Sequence, residues 1–369
     1  MSDRDEQISD LQAQVSPGTT PPGAEQSAAA LQSTSPAPVA SPRCVIKVLG
    51  VGGCGCNVMS HFADRLTELR LTELALVALN TDAAALSVCR APTCVQLGKN
   101  LTAGLGSGCD PNQGRLAAQE CLDEIKELVR GTDLIFVVAG MGGGTGTGAA
   151  PVIAGLARQS GALTVGVATM PFNFEGRRRT LIAERGVEDL LGQVDTLIVV
   201  DNNQLLKSLG PGVSVRSAFE AVDETVINTV NGVAGAIVGV GGFINLDFAD
   251  MQTVMRGRGR AVIGIGHGKG PNLVEEAVRH AIFSPLMQKV DISKASGLIV
   301  NVKVSPSFPL NRWEEVCSAV HAYAAEDADC KFGMKLMPDF AEDEIEVTVI
   351  MTGLNRALDE LAAAPARMR

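Results

Sequence analysis

The stretch "GVGGCGCN" (Gly50–Asn57) follows the apolar run "CVIKVL", and its Gly50, Gly52 and Gly55 stand at G-x-G-x-x-G spacing. Glycines so spaced between a strand and a helix let backbone N–H groups approach a pyrophosphate. A second cluster, "GGGTGTG" (Gly142–Gly148), places five glycines and two threonines in seven residues after the run "DLIFVVAG". Its successive N–H groups would form an anion-binding nest at a helix N-terminus, with Thr145 and Thr147 as hydroxyl donors. Pro151 is expected in the first turn of that helix. A third cluster, "TAGLGSGCDPNQG" (Thr102–Gly114), also lies between a strand and a helix. Three such loops at one sheet edge exceed the needs of a single pyrophosphate and suit a nucleoside triphosphate. The first loop alone also allows NAD or FAD, with Asp82 as an acidic ribose residue at somewhat long spacing. No G-x-x-x-x-G-K-[ST] occurs, so this is not an ordinary P-loop.

The loops need a scaffold, and the sequence supplies one. Apolar β-branched runs recur from Cys44: "CVIKVLG", "LALVALN", "TCVQLG", "DLIFVVAG", "ALTVGVAT" and "DTLIVVD". Helical segments lie between most of them. The clearest is 110–130, with Asp110 as cap, Pro111 at the first helical position and Gln113 completing a capping box. Ala118, Cys121, Leu122, Ile125, Leu128 and Val129 give it an apolar stripe. Near-continuous apolar strands alternating with helices predict an α/β, doubly wound parallel sheet with its ligand at the strands' carboxyl ends. A long helix, Ser214–Ile237, then leads to strands with fewer helices between them. The predicted organisation is a disordered extension (1–43), a nucleotide-binding domain (44–213), a central helix (214–240), a smaller α+β domain (241–353) and a short tail (354–369).

Composition narrows the function. The chain has 369 residues, 46% of them hydrophobic and 20% charged, and carries a net charge of −10. That charge argues against broad binding of nucleic acid or anionic membrane. Nine cysteines without a C-x-x-C pair and only four histidines give no zinc pattern and read as reduced thiols. The run "AGAIVGVGGFI" is too short and too glycine-rich to cross a bilayer, and no targeting peptide is visible. A cytoplasmic location is expected.

With "GGGTGTG" in this setting, the chain resembles the tubulin/FtsZ family from about Cys44 to Gly353. "NTDAAAL", "GLGSG", "PFNFEGRRR", "DTLIVVDNNQLL", "NLDFADMQTVM", "AIFSPLM" and "VTVIMTG" stand in the family's order. The resemblance implies GTP or GDP as ligand, with Mg²⁺ held mainly through the nucleotide. It assigns Gly53, Cys54, Gly55 and Asn57 to the α- and β-phosphates. Gly142, Gly143, Gly144, Thr145, Gly146 and Thr147 would cradle the β- and γ-phosphates, supported by Gly104 and Gly106. Glu175 and Arg179 would reach ribose and phosphates. Phe219 would stack on guanine and Asp223 would accept from its edge, assisted by Asn202.

By local pattern alone Asp247 and Asp250 read as a helix N-cap and its acidic partner at the third helical position. The resemblance gives them, with Asn245, a catalytic role: their loop would complete the GTPase site of the next subunit in a head-to-tail filament. The partner expected is therefore the chain itself, at the division site, although a filament with a purely scaffolding role would carry the same core motifs. The tail after "VTVIMTG" holds no peptide of the kind that docks membrane anchors in such proteins. Ile8, Leu11 and Val15 are spaced for one helix face in the N-terminal extension, which is either chance in a polar tail or a short helix that meets anchor or division proteins instead. The family commonly has proline in place of Asp201 and glycine in place of Cys54 and Cys56.

Overall fold

Apolar side chains alternate in direction along each central run, so both faces of the strands are buried. In β4, Leu134, Phe136 and Val138 enter one core while Ile135, Val137 and Ala139 enter the other. The computed structural model describes residues 44–66, 74–210, 212–237, 242–244, 246–284, 294–325 and 327–354. The N-terminal extension with Ile8, Leu11 and Val15, the segment 238–241, Asn245 and the tail from 355 lie outside the described residues.

The strands are β1 (Ile46–Val51), β2 (Leu74–Asn80), β3 (Thr93–Gln96), β4 (Leu134–Gly140), β5 (Leu163–Met170), β6 (Thr196–Asp201), β7 (Gly242–Ile244), β8 (Gly259–Lys269), β9 (Gly297–Val304), β10 (Asp329–Leu336) and β11 (Glu344–Thr352). The helices are α1 (Gly52–Arg65), α2 (Ala83–Ser87), α3 (Lys99–Thr102), α4 (Pro111–Glu120), α5 (Leu122–Val129) and α6 (Thr145–Gln159) in the first part of the chain. They continue with α7 (Arg177–Leu191), α8 (Asn202–Leu209), α9 (Val215–Ile237), α10 (Phe248–Met255), α11 (Leu273–Ile282) and α12 (Leu310–His321). The described strands form one sheet in the order β3-β2-β1-β4-β5-β6-β8-β11-β9-β10-β7. From β3 to β8 every pairing is parallel, while β11 runs antiparallel to both β8 and β9. The order 3-2-1-4-5-6 reverses between β1 and β4, where a doubly wound sheet opens its ligand crevice.

The α+β part adds its strands to the same sheet, through Thr196–Ile198 of β6 against Gly259–Ala261 of β8. Helix α9 seals the junction. Its Val226, Val230 and Val233 share one core with Phe136 and Val165 of the first part and Ile299 and Ile350 of the second. The other face of the first part is covered by α4, α6 and α7 through Ala118, Ile153 and Leu190.

Three local expectations change. The helix expected over 110–130 breaks at Cys121, whose N–H bonds back to Ala118 and whose thiol donates to the Gln96 carbonyl at 3.9 Å. No glycine or proline marks that break. Asp110 caps α4 by accepting from Asn112 N–H at 2.9 Å, at the second helical position, and no bond from Gln113 back to it is among the described contacts. Helix α6 begins at Thr145, so Pro151 sits inside it in the second turn rather than in the first. Strands β7 and β10 were not apparent in the sequence; the mixed run "DCKFGMKL" of β10 is mostly half-buried.

Gly50 and Gly55 let α1 lie against the end of β1: a Cβ on Gly55 would meet the Gly50 carbonyl carbon at 2.5 Å and the Val138 oxygen at 2.9 Å. Gly53, in the same turn, has open space around its Cβ position. Gly55→Ala is therefore expected to cost about 2 kcal/mol or more by overpacking, whereas Gly53→Ala should stay within about 0.5 kcal/mol. Urea denaturation of the ligand-free protein measures both, and equal stabilities would contradict the packing described.

Candidate functional site: a glycine cradle beside a buried carboxylate

Helices α1 and α6 start at the carboxyl ends of the adjacent strands β1 and β4, so their N-termini meet. Contact is backbone to backbone: a Cβ on Gly52, whose φ is +74°, would lie 2.7 Å from Gly146 N. Neither first turn carries an acidic side chain. Two sets of unpaired N–H groups and two positive dipole ends thus point to one place, a ready site for an anion. Gly53 and Gly143 face open space there.

The third loop supports this cradle. A Cβ on Gly144 would strike Ser107 Oγ and Asp110 N, so the loop carrying Gly104 and Gly106 (φ +79° and +83°) packs directly under it. The Thr145 hydroxyl lies 2.6 Å from that of Thr81 and 3.0 Å from that of Ser107. Thr147 Oγ1 accepts from Gly142 N–H at 2.9 Å, and both threonines are buried. Their hydroxyls therefore fix the loop from within, a role the sequence reading, which cast them as ligand donors, did not foresee. Thr81 and Ser107 were also missed, although "NTD" and "GLGSG" held them.

Beside the cradle a cleft of about 200 Å³ collects Cys54, Asn57, Glu175, Arg179, Asn202, Phe219 and Asp223. All seven were expected at the site; Met141, Thr169 and Pro171, which also line it, were not. Glu175 accepts from Phe172 N–H at 2.8 Å and pairs with Arg179 at 3.0 Å. Arg179 backs onto Gly142, where a Cβ would meet its Cγ at 2.6 Å. Phe219 stands edge-on to Phe172, 5.1 Å between centroids, and keeps 42% of its surface exposed. Asn202 is buried and its Oδ1 has no partner, an acceptor awaiting a donor. Asp223 is also buried, with Oδ2 2.9 Å from His61 Nδ1. Burial pushes its carboxyl up to about 6, a rise that His61 opposes and Glu220 reinforces.

A larger groove of about 650 Å³ opens between α4, α6 and α7 around Pro111, Pro151 and Gln193. Of the expected ligand residues only Thr147 lines it, whereas the smaller cleft collects seven of them. Asp82 caps α2, its Oδ1 accepting from Ala84 and Ala85 N–H at 2.9 and 3.0 Å, which takes it from the ribose role a dinucleotide would need.

Asp247 and Asp250 are not at this cleft. Asp247 caps α10, with Oδ1 accepting from Asp250 N–H at 2.6 Å, and Asp250 lies 3.4 Å from Lys331 Nζ. The far end of α10 is tied to the amino edge of the sheet: Thr196 Oγ1, at the start of β6, donates to the Met255 carbonyl, and Arg256 donates to the Gly161 carbonyl at 3.2 Å. The cradle occupies the carboxyl edge. Helix α9 joins the two edges, carrying Asp223 near one end and leading to α10 from the other, over 23 residues or roughly 35 Å.

Residues 45–210 match the GTPase domain of the tubulin/FtsZ family, and residues 259–355 match the C-terminal domain of the FtsZ family. The cell division protein FtsZ of Azotobacter vinelandii is 43% identical over 316 residues, 86% of this chain and 79% of that protein. The chain belongs to the tubulin/FtsZ family. The cell division protein FtsZ of Coxiella burnetii is 43% identical over 309 residues, 84% of this chain and 78% of that one. Among solved structures, an empty FtsZ dimer from M. jannaschii gives a TM-score of 0.78 at 37% identity, over 85% of this chain and 89% of its own. Membership in the tubulin/FtsZ family makes the chain a GTPase whose ligand is a guanine nucleotide, which sets aside the dinucleotide that the first loop alone allowed.

The first glycine loop carries Cys54 and Cys56, and each thiol has its own niche. Cys54 lies over Gly140, its sulfur 3.6 Å from the Thr169 hydroxyl. Cys56 turns into the core, where Asn80 Nδ2 donates to it at 3.7 Å. Burial pushes Cys54 up to about 11 and Cys56 up to about 12. Both stay protonated at neutral pH, and the thiol is the unreactive form. Iodoacetamide at neutral pH is expected to modify them at least about tenfold more slowly than the exposed Cys109. Peptide mass spectrometry reads the rates, and equal labelling would refute the burial argument.

Proposed function

We propose that this chain assembles head to tail into a cell-division filament and hydrolyses GTP only where two subunits meet. The observation that carries the reading is the placement of Asp247 and Asp250 at the sheet edge opposite the glycine cradle. A strand such as β4, of seven residues, separates the edges by roughly 23 Å. No rotamer change brings these carboxylates to a nucleotide on the same subunit, whereas a second subunit stacked on the first presents them to it. Such a contact is heterologous and does not close by rotation, so it propagates as a filament. The relative from M. jannaschii, described as a dimer, and the curated relatives named as cell division proteins support the same reading.

In this arrangement the N–H groups around Gly53 and Gly143 bind the phosphates, and their fixed dipoles stabilise charge as it moves onto the leaving oxygens. Phe219 covers one face of the base. Asp223 accepts from guanine N1–H and the 2-amino group, a donor pair that adenine lacks. The unpartnered Asn202 Oδ1 takes a further donor of base or ribose, and Arg179 reaches the phosphates from α7. The incoming Asp247 and Asp250 orient and polarise the attacking water, which Asn245 helps to position. The cradle offers N–H and hydroxyl groups but no carboxylate cage, so Mg²⁺ fits only as a companion of the nucleotide, held by phosphate oxygens. It would supply neutralisation of the transferred phosphoryl charge.

Because Asp247 also caps α10, Asp247→Asn is the cleaner variant: asparagine caps as well as aspartate but cannot act as a carboxylate. It is expected to bind GTP normally and to lose about 100-fold or more in turnover. Wild-type turnover per subunit should rise with protein concentration as filaments form, followed by sedimentation of the same samples. Turnover per subunit that is independent of concentration, or Asp247→Asn hydrolysis at the wild-type rate, would exclude the shared site.

A further inference from the structure

His61 has no part in the functions assigned above, yet it makes the direct side-chain contact to the base-reading carboxylate. It lies on the helix that begins with the phosphate-binding glycines, and its Nδ1 is 2.9 Å from Asp223 Oδ2. One turn further along α1, Arg65 pairs with Glu224 at 3.1 Å. A His–carboxylate contact and a neighbouring ion pair thus fasten the helix that would hold phosphate to the helix that would hold the base. We propose that His61 is a positioning and specificity residue of the nucleotide site, holding Asp223 ionised and oriented so that guanine's edge finds an acceptor. The inference rests on the reading of this cleft as the guanine pocket.

The chemistry follows from what Asp223 must be. An ionised carboxylate only accepts, which matches guanine's N1–H and 2-amino donors; a protonated acid offers its own O–H against N1–H and loses the match. Burial favours the protonated form. Glu220, one turn away on α9, pushes the same way, whereas His61 favours the carboxylate. The remaining charged groups around the pair are mostly occupied. Glu175 and Arg179 face the cleft from the α7 side and pair with each other, Glu224 is engaged by Arg65, and Asp64 is held by Arg90 at 2.5 Å. The Cys54 thiol stays neutral. His61 is therefore the group on α1 placed to keep Asp223 charged. Since an ionised Asp223 cannot donate, the hydrogen in the contact belongs to His61 Nδ1, which pins Oδ2 and fixes the plane of the carboxylate. The His61 side chain is 41% exposed, so its replacement leaves the core intact.

The sign of the pH effect is fixed. Removing His61 raises the Asp223 pKa, so the loss of guanine affinity on acidification begins at higher pH. GDP binding by calorimetry on the full chain, from about pH 6 to about pH 8, tests this in wild type, His61→Ala, His61→Asn and Asp223→Asn. His61→Ala is expected to weaken GDP about fivefold more near pH 6 than near pH 8, because loss of the favourable neighbour moves the acid limb to higher pH. His61→Asn, which can place an amide N–H close to the Nδ1 position, should recover most of the affinity near pH 8. A His61→Ala profile that overlays the wild type overturns the role of His61 while leaving the pocket assignment in place. Unweakened GDP binding by Asp223→Asn overturns the pocket assignment itself.

Discussion

The contact between Gly52 and Gly146 is the constraint on which the site depends. Two helices can direct their N-termini at one anion only if both begin close to adjacent strand ends, and side chains there would hold them apart. Gly50 against Gly55 sets α1 on β1, and Gly146 against the Gly140 oxygen, 2.5 Å from a would-be Cβ, sets α6 on β4. With both helices seated, the remaining glycines are free to serve a ligand. Gly53 and Gly143 touch nothing because that space is kept open. The density of glycine in the two loops thus divides into two jobs, close packing of backbone and clearance for phosphate.

The second consequence of that geometry is polarity. Once the cradle is fixed at the carboxyl edge, α9 carries the chain away from it toward the other edge, where the far end of α10 is tied. The continuous sheet makes the separation rigid: β6 hydrogen-bonds to β8, and α9 packs across strands of both parts in one core. A nucleotide at one end and a carboxylate loop at the other are then joined by a body that does not fold over on itself. This is the arrangement that the proposed head-to-tail polymer would need, with half a site at either end of each subunit.

Much of this was legible in the sequence because it is written in local patterns. The six parallel strands announced themselves as apolar runs, and the glycine clusters fell where the strand order reverses. Less legible were effects that arise only between segments. Cys121 ends α4 without glycine or proline, through a thiol contact to the β3 carbonyl at Gln96. Strand β10 has half-buried residues on both faces, so it shows neither alternation nor an unbroken apolar run. The Thr145 and Thr147 hydroxyls were legible as polar groups in a phosphate loop, but that Thr81, Ser107 and Gly142 engage them depends on loops brought together from distant positions. His61 was illegible for the same reason: Asp223 is its partner across 162 residues of sequence, from 61 to 223, and nothing local marks the pair.

Asp247 shows how a local reading and the proposed functional one can meet in a single residue. Its pattern with Asp250 is that of a helix cap, and the structure makes it one, with Oδ1 fixed by the Asp250 N–H at 2.6 Å. Capping uses one carboxylate oxygen. An exposed aspartate on a free loop would sample many orientations, and a partner subunit would have to order it on each encounter. A capped aspartate arrives already oriented, on a helix anchored to the sheet edge through Thr196 and Arg256. The cap is thus the preorganisation that the proposed shared site would require, because the subunit that supplies the carboxylate cannot rely on the nucleotide to position it.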